Sequence, residues 1–208
     1  MRPITDCTSY FESLSLTIGK LPFHDMDAVV ETLIDAYRNE RTIYLFGNGG
    51  SAALASHLAC DLGKGTVNGS DRRFRALALT DNIPMMTAWA NDSKYEDIFA
   101  EQLTNFVRPD DIAFAISGSG NSPNVLLALK VARAAGAVTV GLTGFEGGKM
   151  RALCDRCIII PSDNMQLIED LHLCVAHSLF TCIRSKLCTH PPVYSLMKRS
   201  LSRQATAK

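Results

Sequence analysis

The chain has 208 residues, enough for one sizeable α/β domain and too few for two ordinary ones. Lysine plus arginine balances aspartate plus glutamate at 21 each, so no global field favours nucleic acid, an anionic membrane or an acidic partner, and any anion site must be local. The N-terminus lacks a basic segment followed by an apolar core and no window approaches a membrane span, so the expectation is a cytoplasmic protein with no membrane or nucleic-acid partner.

Apolar positions Ile4, Tyr10, Phe11, Leu14 and Leu16, then Met26, Val29, Val30, Leu33, Ile34 and Tyr37, recur at helical spacing on either side of a Gly/Pro break, and predict two amphipathic helices within residues 1–40. Beyond them the pattern alternates: strand 42–46, helix 51–62, strand 75–79, helical stretch 83–90, helix 95–106, strand 111–116, helix 123–135. It continues with strand 137–142, a short helix near 147–153, strand 156–160 and a long helix from 164 to 187. Strands separated by helices imply a parallel sheet covered on both faces, a three-layer αβα sandwich of the α/β class. One domain is expected over 1–190, with helices in 1–40 and the αβα core in 41–190. The glycine- and charge-rich stretch 65–75 reads as a surface loop near the site, and 191–208 as a partly disordered tail. Seven cysteines scattered through apolar segments fit reduced thiols, and the one C-x-x-C, Cys154 and Cys157, has no second pair at zinc-ribbon spacing.

Two strand-to-helix junctions carry the chemistry. In the first, Gly47-Asn48-Gly49-Gly50-Ser51 places backbone N–H groups and a hydroxyl at a helix N-terminus, where anions bind. In the second, Ser117-Gly118-Ser119-Gly120-Asn121-Ser122 precedes Pro123, and the small residues let amides and three hydroxyls converge on a phosphate. Proline at the first helical position costs nothing, because that N–H has no intrahelical partner. The Gly-Lys-Thr ending of a P-loop is absent. A third junction, 141–150, is explained equally well by a structural turn or by a ligand contact. His57 and Asp61, four apart, share one helix face. On the last helix Glu169, His172 and His177 stand in an apolar frame, where each needs a polar partner. Lys64 could neutralise substrate charge or be a solvated loop lysine.

The segments GNGGSAALASHLACDL, WANDSKYEDIF, ISGSGNSPNVLLAL, LTGFEGGKM and IEDLHLCVAH occur here in the order and spacing of the sugar isomerase (SIS) domain, and resemble its phosphoheptose isomerase branch. The resemblance implies a flavodoxin-like five-stranded parallel sheet and a homotetramer, held by the N-terminal helices and the long C-terminal helix, with active sites at subunit interfaces. It implies a phosphorylated sugar substrate: sedoheptulose 7-phosphate, isomerised to D-glycero-D-manno-heptose 7-phosphate through an enediol, with no nucleotide cofactor. Ser117, Ser119 and Ser122 would hold the phosphate, with Gly118 leaving room. Asn48, Gly49, Gly50, Ser51, Asn91, Asp92, Lys64 and Glu169 would meet the rest of the substrate. Asp61 and His177 match the family's proton-transfer pair, and zinc would map onto His57, Asp61, Glu169 and His177.

Two departures stand out. Aspartate replaces the family's glutamate at 61, and glutamate replaces its glutamine at 169. Either Glu169 takes over as base or the extra carboxylate tightens a metal site, and a metal-free proton relay is the competing reading. Rival functions are an isomerase of another sugar phosphate, and a non-catalytic SIS protein that binds a replication initiator. Asp61 and His177, which the latter branch tends to have lost, favour an enzyme.

Overall fold

The computed structural model describes residues 4–67 and 72–187. The chain runs α1 (Cys7–Ile18), α2 (Phe23–Arg38), β1 (Thr42–Gly47), α3 (Gly50–Cys60), β2 (Arg75–Ala78), α4 (Ile83–Asp92), α5 (Asp97–Phe106) and β3 (Ile112–Ser117). There follow α6 (Pro123–Ala134), β4 (Val138–Thr143), β5 (Arg156–Ile159) and α7 (Met165–Leu187). A π-helical turn, Asp61–Gly65, continues α3, and a 3-10 turn, Gly148–Leu153, precedes β5. The five strands pair in parallel, as the alternating pattern predicts, and stand in the order β2-β1-β3-β4-β5. The expected tail and the middle of the 65–75 loop lie outside the described residues.

Alternation along the buried strands divides the core into two faces. Ile43, Leu45, Ile112, Phe114 and Ile116 turn toward α2, α3 and α7, whereas Tyr44, Phe46, Ala113 and Ala115 turn toward α5 and α6. On the second face the fully buried alanines of β3 and Ala128 and Ala132 of α6 leave room for Phe46 and Phe99, whose rings lie 5.5 Å apart. No helix among the described residues is long and apolar enough to cross a membrane.

Two elements differ from expectation. The helix predicted over 51–62 is α-helical only to Cys60 and then widens. Helix α1 buries Ser13 and Thr17 and half-buries Tyr10 and Leu14, the latter against the core, while Phe11 and Leu16 are 66% and 68% exposed. Periodicity tells which residues share a face but not what covers that face. Asp6 caps this helix, accepting from the Ser9 N–H at 2.8 Å in a reciprocal capping box.

Candidate active site

Strand β1 pairs with β2 on one side and β3 on the other, so the chain turns in opposite directions from its end and leaves a crevice at the carboxyl edge of the sheet. Ligands of open α/β sheets bind at such a switch point. Both small-residue junctions open here, after β1 and after β3. They are tied by a reciprocal amide pair: Asn48 Nδ2 donates to Asn124 Oδ1 at 2.9 Å and Asn124 Nδ2 donates to Asn48 Oδ1 at 2.8 Å. The Tyr95 hydroxyl also donates to Asn48 Oδ1, at 3.1 Å, and Asn124 Oδ1 accepts the Val125 N–H at 3.0 Å. Asn124 and Tyr95 were absent from the sequence expectations, because an asparagine one residue inside a helix carries no local signal.

In the second junction the three serines make only local hydrogen bonds, Ser119 Oγ accepting the Asn121 N–H at 3.2 Å. Ser117 Oγ and Ser122 Oγ are 3.3 Å apart. Ser122 is the N-cap of α6, yet its side chain makes no capping bond, which leaves that hydroxyl and the first turn of the helix to an incoming anion. Gly120 bends the loop at φ +64, and a Cβ there would lie 2.2 Å from the Gly147 oxygen. Gly118 gives its space to Met165, whose Sδ would be 2.5 Å from a Cβ at 118.

The acid/base groups come together across α3 and α7. His57 Nε2 lies 3.4 Å from Asp61 Oδ2, His177 Nε2 lies 4.0 Å from it, and the two imidazole Nε2 atoms are 3.2 Å apart. Asp61 meets His177 because the π turn folds α3 onto α7. Leu62 is fully buried, Thr66 Oγ1 donates to the Leu62 carbonyl at 2.6 Å, and Gly65 lies against Phe180, whose ring would be 2.4 Å from a Cβ at 65. Asp61 is the most sheltered of the three, its side chain 24% exposed against 47% for His57 and 49% for His177.

Two facing imidazole nitrogens and a carboxylate are a zinc-type donor set. Ligand atoms about 2.0–2.1 Å from a tetrahedral zinc lie roughly 3.3–3.4 Å apart, a spacing that the His57–Asp61 and His57–His177 separations nearly meet. The three groups have ligand atoms within 4.8 Å of one another. Glu169, expected as a fourth ligand, is not among them. It lies eight residues before His177, about 12 Å of helix rise, and its carboxylate sits instead over Gly50, 3.8–3.9 Å from where a Cβ would stand.

Glu169 nevertheless faces the same space. A cavity of about 280 Å³ opens between α3 and α7, lined by Gly50, Ser51, His57, Glu169, Asp170 and His172 among others. Asp170 accepts a 2.5 Å hydrogen bond from Tyr10, which ties α1 to this wall and pushes the phenol up to about 12. His172 is 1% exposed, and burial pushes its pKa down to about 4, a shift partly opposed by the Thr143 backbone. Its Nε2 has no hydrogen-bond partner. Asn91 and Asp92, at the end of α4, are exposed and bonded to each other at 2.7 Å; they do not line the cavity. Lys64 is exposed in the π turn.

A SIS domain profile matches residues 9–144. The phosphoheptose isomerase of Paramagnetospirillum magneticum is 41% identical over 81% of this chain and 86% of its own length. That of Rhodospirillum rubrum is 43% identical over 69% and 76%. Among solved structures, a phosphoheptose isomerase from Neisseria gonorrhoeae superposes with a TM-score of 0.80 at 29% identity, covering 86% of this chain and 96% of that one. Another, from Francisella tularensis, gives 0.77 at 28% identity, covering 89% and 100%. The chain belongs to the SIS domain family, in its phosphoheptose isomerase branch.

Proposed function

We propose that the chain is a phosphoheptose isomerase that interconverts sedoheptulose 7-phosphate and D-glycero-D-manno-heptose 7-phosphate through an enediol. The observation that carries this reading is the His57–Asp61–His177 cluster across α3 and α7, with His57 lining the cavity that runs to Gly50 and Ser51 of the first junction. An aldose-ketose isomerase needs an anchor for the phosphate, a base for the proton on C1 or C2, and an acid for the carbonyl oxygen. Ser117, Ser119, Ser122 and the first turn of α6 supply the anchor, whose binding energy orients the distant reacting carbons.

His177 and Asp61 exchange the proton. Their separation of 4.0 Å lets a bound sugar carbon or oxygen stand within reach of both. Glu169, at the mouth of α3, meets the sugar hydroxyls and is the second candidate base. Asn48, held by Asn124 and Tyr95, presents the first junction to the same chain of hydroxyls. With a zinc ion held by His57, Asp61 and His177 in place of that relay, the ion would polarise the substrate carbonyl and Glu169 would be the base.

The active unit is a homotetramer, with α1 offering Phe11, Leu16 and Ile18 to a second copy. The departures at 61 and 169 keep another sugar phosphate open as the preferred substrate. Two substitutions test the division of labour. His177→Ala lowers kcat by at least about 10²-fold with phosphate binding kept. Ser119→Ala raises KM with kcat close to wild type. Undiminished turnover in the histidine variant would remove His177 from the mechanism.

A further inference from the structure

The Cys154-x-x-Cys157 motif lies outside the cavity and the isomerase reaction gives it no task. Both sulfurs converge on Gly141 of β4. A Cβ at 141 would lie 2.8 Å from Cys154 Sγ and 3.2 Å from Cys157 Sγ, and Gly141 is the register partner of Cys157 in the sheet. Both being that close to one point, the two sulfurs lie within about 6 Å of each other. Both are half-buried rather than sealed; Arg151 places positive charge near Cys157, whereas at Cys154 burial and Asp155 outweigh Arg133, so Cys157 is the thiol that ionises first. A partly exposed thiol with a cation beside it is the reactive one of such a pair.

Cys154 ends the 3-10 turn Gly148–Leu153, and that turn is the back wall of the serine loop. The Met150 N–H donates to the Gly120 carbonyl at 3.0 Å, and the Lys149 N–H donates to Asn121 Oδ1 at 3.1 Å. Asn121 Nδ2 in turn donates to the Ser119 carbonyl at 2.9 Å. Contact is tight enough that a Cβ at Gly148 would lie 2.5 Å from the Ser119 oxygen. A displacement at Cys154 therefore reaches the serine hydroxyls through one turn of backbone.

We propose that Cys154 and Cys157 form a thiol–disulfide site whose oxidation state sets the phosphate affinity of the Ser117–Ser122 loop; the coupling rests on the reading of that loop as the phosphate anchor. The oxidant is a low-molecular-weight disulfide. The Cys157 thiolate attacks one of its sulfurs, breaking that bond, forming a mixed disulfide and releasing one small thiolate. The Cys154 thiolate then attacks the Cys157 sulfur, closing the internal bond and releasing the second. Two electrons pass to the oxidant, and the two protons lost by the cysteines end on the released thiols. A disulfide holds its sulfurs about 2.03–2.05 Å apart, closer than two unbonded thiols. Closure draws Cys154 toward β5 and pulls the turn off Gly120 and Asn121.

The test uses the full chain, reduced or equilibrated with oxidised glutathione, with inorganic phosphate as the calorimetric probe. After alkylation, peptide mass spectrometry is expected to find Cys154 joined to Cys157, with phosphate affinity at least about threefold weaker and restored by dithiothreitol. Cys157→Ser and Cys154→Ser are expected to bind phosphate as the reduced protein does, with or without oxidant. Failure to form the internal disulfide, an unchanged affinity once it has formed, or the same oxidative loss in both serine variants would overturn the proposal. A reduced protein that does not bind phosphate would instead overturn the reading of the loop, which the disulfide mass measures independently.

Discussion

His172 carries a hydrogen-bonding ring, 1% exposed, into the wall between α7 and the cavity, where burial favours its neutral form. Its pKa is pushed down to about 4, first by burial, whereas an unfolded chain takes up the same proton near 6.5. The unfolded state therefore binds the extra proton between these values. Stability is full above about pH 6.5, falls as pH drops toward about 4, and loses nothing more from this group below that. The whole effect is on the order of 3 kcal/mol. Unfolding in urea at pH 7, 5.5 and 4 is expected to show this component in the wild type and not in His172→Phe. Equal pH dependence in the two would mean that the ring is not buried neutral.

At the same scale, the glycine-serine junctions and the pair His57 and Asp61 are legible from the chain alone, because small residues between a strand and a helix and an i,i+4 spacing are local facts. Asn124 is not. Its importance lies in a partner 76 residues away, and nothing next to Asn124 in the chain announces Asn48. Glu169 shows the converse limit: the residue type suits a ligand, but the rise of α7 carries its carboxylate to Gly50 rather than to His177.

Among the elements, the π turn 61–65 decides whether Asp61 and His177 meet. In sequence its Gly63 and Gly65 read as loop residues, so the helix is expected to stop. In the structure the glycine at 65 is what lets the turn press against Phe180. Gly65→Ala forces the Phe180 ring away and separates α3 from α7. The expected cost is about 1–3 kcal/mol of stability, with kcat reduced by about tenfold or more, since misplacing an acid/base group by an ångström is costly. Thermal unfolding and steady-state kinetics on one preparation check both. Wild-type kcat in a folded Gly65→Ala protein would show that the Phe180 contact does not position the pair.

For the whole molecule, the parallel sheet follows from alternation and short connections, while its strand order and the use of α1 do not. A helix that buries Ser13 and Thr17 leaves Phe11, Leu16 and Ile18 exposed, with Phe11 and Ile18 seven residues apart on one stripe. Large apolar side chains exposed on a helix mark an interaction surface. Light scattering on the Phe11→Asp, Leu16→Asp double variant is expected to give a smaller particle than wild type, whose mass is expected to be four chains. A wild-type monomer, or a double variant unchanged in mass, would remove α1 from the assembly.

The central claim is that His177, Asp61 and the serine loop together carry enediol chemistry on a seven-carbon sugar phosphate. Its most direct test is incubation of the purified protein, with its zinc content measured, with sedoheptulose 7-phosphate in heavy water, followed by NMR. The expected result is D-glycero-D-manno-heptose 7-phosphate carrying deuterium from solvent at C2, or deuterium at C1 of the recovered ketose. Substrate that binds and returns without aldose product and without deuterium would contradict the account.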